Sequence, residues 1–324
     1  MQADVKQRAI ALLKEGTADR VLGWKAGEFF YDLTPAVFET PEEVERDFVW
    51  SPFSAPNLSK YLIGETRKPG KIAAFLKPCD TYSFQQLRKE HRIDREKVYV
   101  VAVQCGGMCD IEKIKALAKA PTAIREEGDT LVVSTLYGEK RLPRQDVLAE
   151  RCLSCKSTKM AYYDELLGDD GEDKGDGRFE GVRRLEAMTP EERYQFWRGE
   201  LSRCIRCNAC RNVCPACSCE KCVFDNPTSG VENKAAANSF EENMFHIIRA
   251  FLVAGRCTDC GACSRVWPQH IPLQLLNRKL ISDMNELYGP YQAGADLETR
   301  PPMTDFRYDD PEPSVVARRG GAQE

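Results

Sequence analysis

Cys204 to Cys222 reads CIRCNACRNVCPACSCEKC, seven cysteines in 19 residues. Cys204, Cys207, Cys210 and Cys214, followed by Pro215, fit the C-x2-C-x2-C-x3-C-P spacing of a cubane-binding loop. Cys257, Cys260 and Cys263 repeat that spacing, but Trp267, followed by Pro268, stands where the last cysteine belongs. The geometry explains the pattern. Thiolates at every third residue of a tight loop reach three iron corners, and the fourth corner is reached from elsewhere. In two-cluster ferredoxins the last cysteine of each run ligates the other cluster. Cys214 therefore completes Cys257, Cys260 and Cys263, while Cys204, Cys207 and Cys210 lack a fourth ligand.

Four completions stay open. One of Cys217, Cys219 and Cys222 could fill the corner. Cys214, Cys217, Cys219 and Cys222 could form a separate four-thiolate set, for a cluster or for zinc. The corner could stay empty, as in a three-iron cluster. His270 is close in sequence, although a loop histidine is the plainer reading of it. Arg203, Arg206, Arg211 and Arg256 flank these cysteines. They could raise a cluster's potential by stabilising its more negative reduced form, or could be ordinary solvated surface.

Redox compartment decides how the 15 cysteines are read. No apolar run is long enough to span a bilayer, and MQADVKQRAIALLKEG lacks the apolar core and cleavage site of a signal peptide. The chain is expected in the cytoplasm, where a dense disulfide framework is not sustained. An odd cysteine count also forbids complete pairing within one chain. Metal ligation is the better default. A formal charge of −4 gives no reason to expect a nucleic-acid partner, and no membrane insertion is expected.

The elements that must position these ligands fall in two groups. KIAAFLKPCD and KVYVVAVQC read as buried strands, TYSFQQLRKEHR and IEKIKALAKA as helices, and TLVVSTLYG as a further strand. This alternation predicts an α/β N-terminal domain with a mostly parallel sheet, over 1–167. The stretch 168–185 has no apolar periodicity over its polar first part and reads as a linker. A mostly helical, dicluster ferredoxin-like domain is expected over 186–292, and an extended tail over 293–324. Thr189 and Glu192 have capping-box spacing at the start of the helix that leads to Cys204. SFEENMFHIIRAFLVAG is expected to form the helix that leads to Cys257.

Five cysteines remain, namely Cys79, Cys105, Cys109, Cys152 and Cys155. Cys79 and Cys105 follow predicted strands and would meet at one sheet edge. Four of the five would complete a third cluster, and Gly106 and Gly107 would let the backbone turn close to it. The alternative is a core thiol at Cys79 and a zinc hook or free thiols at Cys152 and Cys155.

KPCD, QCGGMC and RCLSCK…YYDELLGD, in that order, resemble the motifs of the coenzyme F420 hydrogenase/dehydrogenase beta-subunit family. CPACSC, FHIIRAFLVAGRCTDCGAC and IPLQLLNRKLISDMNELYG resemble the dicluster half of bacterial relatives associated with heterodisulfide-reductase-like and formate-dehydrogenase-like complexes. The PCD and CPxCxC elements are also similar to those of sulfhydrogenase beta subunits and of the anaerobic sulfite reductases. The resemblance implies an iron–sulfur electron-transfer subunit of an anaerobic oxidoreductase complex, whose partners are other redox subunits. It implies two to three clusters, mainly [4Fe-4S], with Cys79, Cys105, Cys152 and Cys155 as the first-half ligands and Cys109 as the spare. Some relatives hold FAD and exchange hydride with F420 or a nicotinamide. The sequence carries no dinucleotide fingerprint, so an FAD-containing dehydrogenase subunit stands as the alternative.

Overall fold

The computed structural model describes residues 2–225, 239–266 and 269–302. The fold grows from two apolar runs that can only be satisfied inside. Ile72–Leu76 (IAAFL) is buried at every position, and Val98–Val103 (VYVVAV) at all but Tyr99. Strands with no polar face must be covered on both sides, which favours the centre of a parallel sheet. In chain order the strands are β1 (Arg20–Ala26), β2 (Leu33–Phe38), β3 (Ile72–Leu76), β4 (Val98–Val103), β5 (Pro121–Glu127), β6 (Thr130–Thr135), β7 (Gly138–Pro143) and β8 (Glu165–Leu167).

The main sheet has the order β2-β1-β3-β4-β8. β1 pairs antiparallel with β2, while β1–β3, β3–β4 and β4–β8 are parallel. The mostly parallel sheet expected from the alternation is present, with one antiparallel edge. TLVVSTLYG does not extend it. Its strand, β6, is the centre of a separate antiparallel sheet, β5-β6-β7, and closes a hairpin on β7 through Leu136 and Tyr137. The core between sheet and helices is aromatic: Trp24, Phe48 and Phe75 are sealed from solvent, with Phe48 and Phe75 edge to face at 5.4 Å.

The C-terminal half is helical. The Pro190–Leu201 helix begins at the expected capping box: Thr189 accepts from the Glu192 amide, and Glu192 accepts from the Thr189 amide at 2.8 Å. The Ser239–Leu252 and Leu273–Tyr288 helices follow. The stretch 168–185 is tied down along its length. Met160 N–H donates to Asp170, Lys174 N–H donates to the Lys156 carbonyl, and Phe179, Val182 and Leu185 are buried. Apolar periodicity missed this because the anchors are backbone and carboxylate hydrogen bonds. Residues 293–302 lie against the Pro78–Lys89 helix so closely that a Cβ on Gly294 would sit 1.9 Å from the Tyr82 carbonyl oxygen. The rest of the expected tail, 303–324, lies outside the described residues.

One ion pair fixes the turn after β3. Lys77 and Asp80, both fully buried, meet at 2.7 Å. The Lys77 ammonium also donates to the Pro56 carbonyl at 2.9 Å and stands 4.4 Å over the Trp24 ring. The pair caps the Pro78–Lys89 helix and sets Cys79 in its first turn. Replacing Lys77 by Met strands a buried carboxylate, and breaking such a pair costs about 3–5 kcal/mol. Lys77→Met should lower the apparent melting temperature sharply. The double change Lys77→Met/Asp80→Leu should recover a large part of the loss, which thermal denaturation followed by circular dichroism would show.

Candidate metal centre

Adjacent parallel strands bring the first-half cysteines together. Leu76 at the end of β3 pairs with Ala102 near the end of β4, so Cys79 and Cys105 leave neighbouring strand ends. The short Glu150–Leu153 helix supplies Cys152, and Cys155 follows it. Cys105 interacts electrostatically with Cys79, Cys152 and Cys155. Met108 N–H donates to Cys152 Sγ at 3.3 Å, and Gly107 N–H to Cys105 Sγ at 3.4 Å. Gly107 has φ +95°, and a Cβ there would lie 2.9 Å from Leu148 and 3.4 Å from Cys152. Gly106 carries no such constraint: its nearest neighbour would be Arg144, at 3.4 Å. Cys109 is buried in the main core, and its amide donates to the Pro52 carbonyl.

The two C-terminal runs adopt one loop conformation twice. Arg206 (φ 53°) and Asn208 (φ 59°) in the first correspond to Asp259 (φ 60°) and Gly261 (φ 65°) in the second. Alternating left-handed residues turn successive N–H groups inward and form an anion-binding concavity of the kind found at iron–sulfur sites. Arg206 N–H donates to Cys204 Sγ at 3.4 Å, and the Asp259 amide does the same for Cys257. Only one of the four left-handed positions is glycine, so three carry a backbone cost of roughly 1–2 kcal/mol each.

Cys214 reaches across to the second run and interacts with Cys257, Cys260 and Cys263. Cys204 and Cys210 pack with Cys263, Leu201, Ile271 and Leu273, and Cys207 is exposed. Cys217 hydrogen-bonds Cys214. Cys222 hydrogen-bonds Arg211, and Cys219 is exposed near Arg256. His270 is exposed. Trp267 and Pro268 lie outside the described residues. Among the described residues no three His, Cys, Asp or Glu side chains close to the spacing of a single metal ion.

The thiols respond to this burial. It pushes Cys105 and Cys263 up to about 11 and Cys109 and Cys260 up to about 12, and holds Cys79 and Cys257 well above the ordinary thiol value. Cys214 goes the other way, down to about 5, because it accepts a hydrogen bond from Cys217 and has Arg249 beside it. Buried thiols held neutral give up their protons when they ligate a metal.

Three residues that the cysteine spacing does not reveal bear on the sulfurs. His246 is buried, with Nε2 3.4 Å from Cys204 Sγ. Burial first, then Arg249 and Arg206, push its pKa down to about 3, so the ring is neutral. Arg151 and Arg249 are each more than nine-tenths buried, and each has an N–H without a hydrogen-bond partner among the described residues, Nε of Arg151 and Nη2 of Arg249. Arg151 could have been suspected from its place beside Cys152, and Arg249 only from its long-range contacts. Inward N–H groups, clustered thiols and unmatched buried donors fit a group that is anionic, rich in sulfur and larger than an ion.

Residues 200–271 match the 4Fe-4S dicluster domain family, which defines the class of this half. Two curated relatives then narrow the resemblance. The beta subunit of F420-dependent formate dehydrogenase from Methanocaldococcus jannaschii is 24% identical, over 90% of this chain and 91% of its own length. The beta subunit of F420-dependent formate dehydrogenase 1 from Methanococcus maripaludis is 26% identical, over 66% of this chain and 71% of its own length. A chain of the F420-reducing [NiFe] hydrogenase complex from Methanosarcina barkeri aligns at TM-score 0.39 and 14% identity, over 57% of this chain and 76% of that one. The curated relatives bear out the resemblance seen in the motifs.

Gly107→Ala should disturb the first-half sulfurs through its φ and the close approach to Leu148, whereas Gly106→Ala should be tolerated. If each set holds a cubane, iron analysis of anaerobically purified protein should show Gly107→Ala losing about 4 iron per chain and Gly106→Ala losing none.

Proposed function

We propose that this chain is the iron–sulfur electron-transfer subunit of a multi-subunit oxidoreductase, serving a formate-dehydrogenase-type catalytic partner as its relatives' names suggest. The single observation that carries this reading is the meeting of Cys214 with Cys257, Cys260 and Cys263 across two loops of matching conformation. In this reading Cys79, Cys105, Cys152 and Cys155 hold one cluster, and Cys214, Cys257, Cys260 and Cys263 a second. Cys204, Cys207 and Cys210 hold a third, with its fourth ligand drawn from Cys217, Cys219 or Cys222. A bound cubane supplies reversible one-electron chemistry. The chain's own residues hold the sulfurs, exclude water from most of them and aim N–H donors at them. In a low-dielectric interior such donors set the ease of reduction. No helix among the described residues is long and apolar enough to cross a membrane. A reducing cytoplasm, where so many thiols stay free to ligate metal, is the proposed location.

One observation favours a second reading. A cleft of about 250 Å3 opens on Cys105, lined by Trp50, Gln104, Gly106, Glu126 and Arg144. An FAD-containing subunit that exchanges hydride with F420 or a nicotinamide would have its flavin ring there, against the first-half sulfurs.

Iron, acid-labile sulfide, zinc and flavin per chain, measured on protein purified without oxygen, separate the readings. The proposal expects about 12 iron with matching sulfide, and no diaphorase activity from the isolated chain. Bound flavin with such activity favours the second reading. Zinc without sulfide removes both.

A further inference from the structure

Two buried arginines stand where the cysteine sets adjoin. Arg151 lies among Cys79 and Cys152 of the first-half set and Cys260 of the second run. Its Nη1–H donates to the Cys260 carbonyl at 2.8 Å, its Nη2–H to the Ala55 carbonyl at 3.0 Å, and its Nε–H to nothing among the described residues. Gly261 (φ +65°) admits it: a Cβ there would stand 2.7 Å from the Arg151 Cβ. Arg249 occupies the other junction. It hydrogen-bonds Cys210 of the first run and Cys263 of the second, and also lies near Cys214 and Cys217. The set formed by Cys214, Cys257, Cys260 and Cys263 borders both arginines; each outer set borders one.

A buried unmatched N–H costs roughly 1–3 kcal/mol, so both guanidinium groups are placed for acceptors that the protein itself does not provide. Sulfur supplies them. Reduction adds one electron and one negative charge, and a fixed cation in a low dielectric favours the reduced state. The cysteine-adjacent arginines are differently placed. Arg256 is paired with Glu90 at 2.6 Å, Arg211 with Asp225 at 2.8 Å, and Arg203 with Glu200, so their charge is largely cancelled.

We propose that Arg151 and Arg249 set the potentials of the cysteine sets they separate, and that the shared set, Cys214/Cys257/Cys260/Cys263, is the most readily reduced of the three. The inference rests on the proposed iron–sulfur content.

The test is a dithionite titration of the full chain, followed by electron paramagnetic resonance, for the wild type and for Arg151→Gln, Arg249→Gln, Arg151→Lys and Arg249→Lys. Each Gln variant should lower two of three midpoints by at least tenfold in the reduced-to-oxidised ratio, ~59 mV for one electron. One midpoint should fall in both, and it should be the highest in the wild type. The Lys variants keep the charge and should stay within that margin of the wild type. The proposal is overturned if no midpoint responds to both Gln changes, if the shared one is not the highest, or if all three move together. Should a Gln variant lose iron, its Lys counterpart decides. Full iron and wild-type midpoints support the charge role, while iron lost there as well makes the residue merely structural and overturns the proposal. Wild-type protein without iron and sulfide would instead remove the underlying function.

Discussion

The structure depends on charge held where water cannot reach. Lys77, Arg151, Arg249 and Arg278 are all buried in or near the seam between the sheet and the helical half. Each buried ion costs several kcal/mol unless it is matched. Asp80 matches Lys77, and Asp259 matches Arg278 at 2.8 Å. Arg278 also donates to the Ser154 hydroxyl at 2.6 Å and to the Ser154 carbonyl at 2.7 Å, so a single guanidinium ties the Leu273–Tyr288 helix to both cysteine-bearing loops. Asp259 is thus both a left-handed residue of its loop and the partner of that guanidinium. The loop conformation and the seam cannot be changed independently.

The same constraint explains why the two halves are joined by polar contacts more than by apolar ones. The Ser83 and Thr258 hydroxyls meet at 2.8 Å, Asn57 donates to Ser83, and Arg92 donates to the Ser218 carbonyl. An apolar seam would favour association but would leave nothing to orient sulfurs. Directional bonds fix the angle at which the second run meets the Pro78–Lys89 helix, and therefore where Cys260 stands relative to Cys79.

Much of this was legible. The C-x2-C-x2-C spacing anticipated the approach of Cys214 to the second run, because a tight loop offers only three thiolates to one side. Apolar runs marked β3 and β4, and the Thr189/Glu192 pair marked a helix start, since both signals are local. The β5-β6-β7 sheet was not legible beyond β6: PTAIREE is largely exposed and GEKRLP buries only Leu142, so neither carries the period-two pattern of a half-buried strand. The junction arginines were hidden for a different reason. Burial of a cation is set by tertiary contacts, and Arg249 sits on an amphipathic helix where only the fold reveals which side chains face the sulfurs.

That difference alters how charge near a redox site should be read. Adjacency in sequence selects residues on the rim of a ligand loop, where carboxylates such as Glu90 and Asp225 can follow a guanidinium and neutralise it. Interior positions admit no such companion without its own desolvation cost. A cation there keeps its field, and its unmatched donor points to whatever acceptor occupies the space between the sets. The outer faces of the two terminal sets differ from this interior: Cys207 is open to solvent, and Cys105 borders the cleft. Both ends of the row of sulfurs are accessible and its middle is enclosed between two cations, an arrangement suited to passing electrons through the chain rather than holding them at its surface.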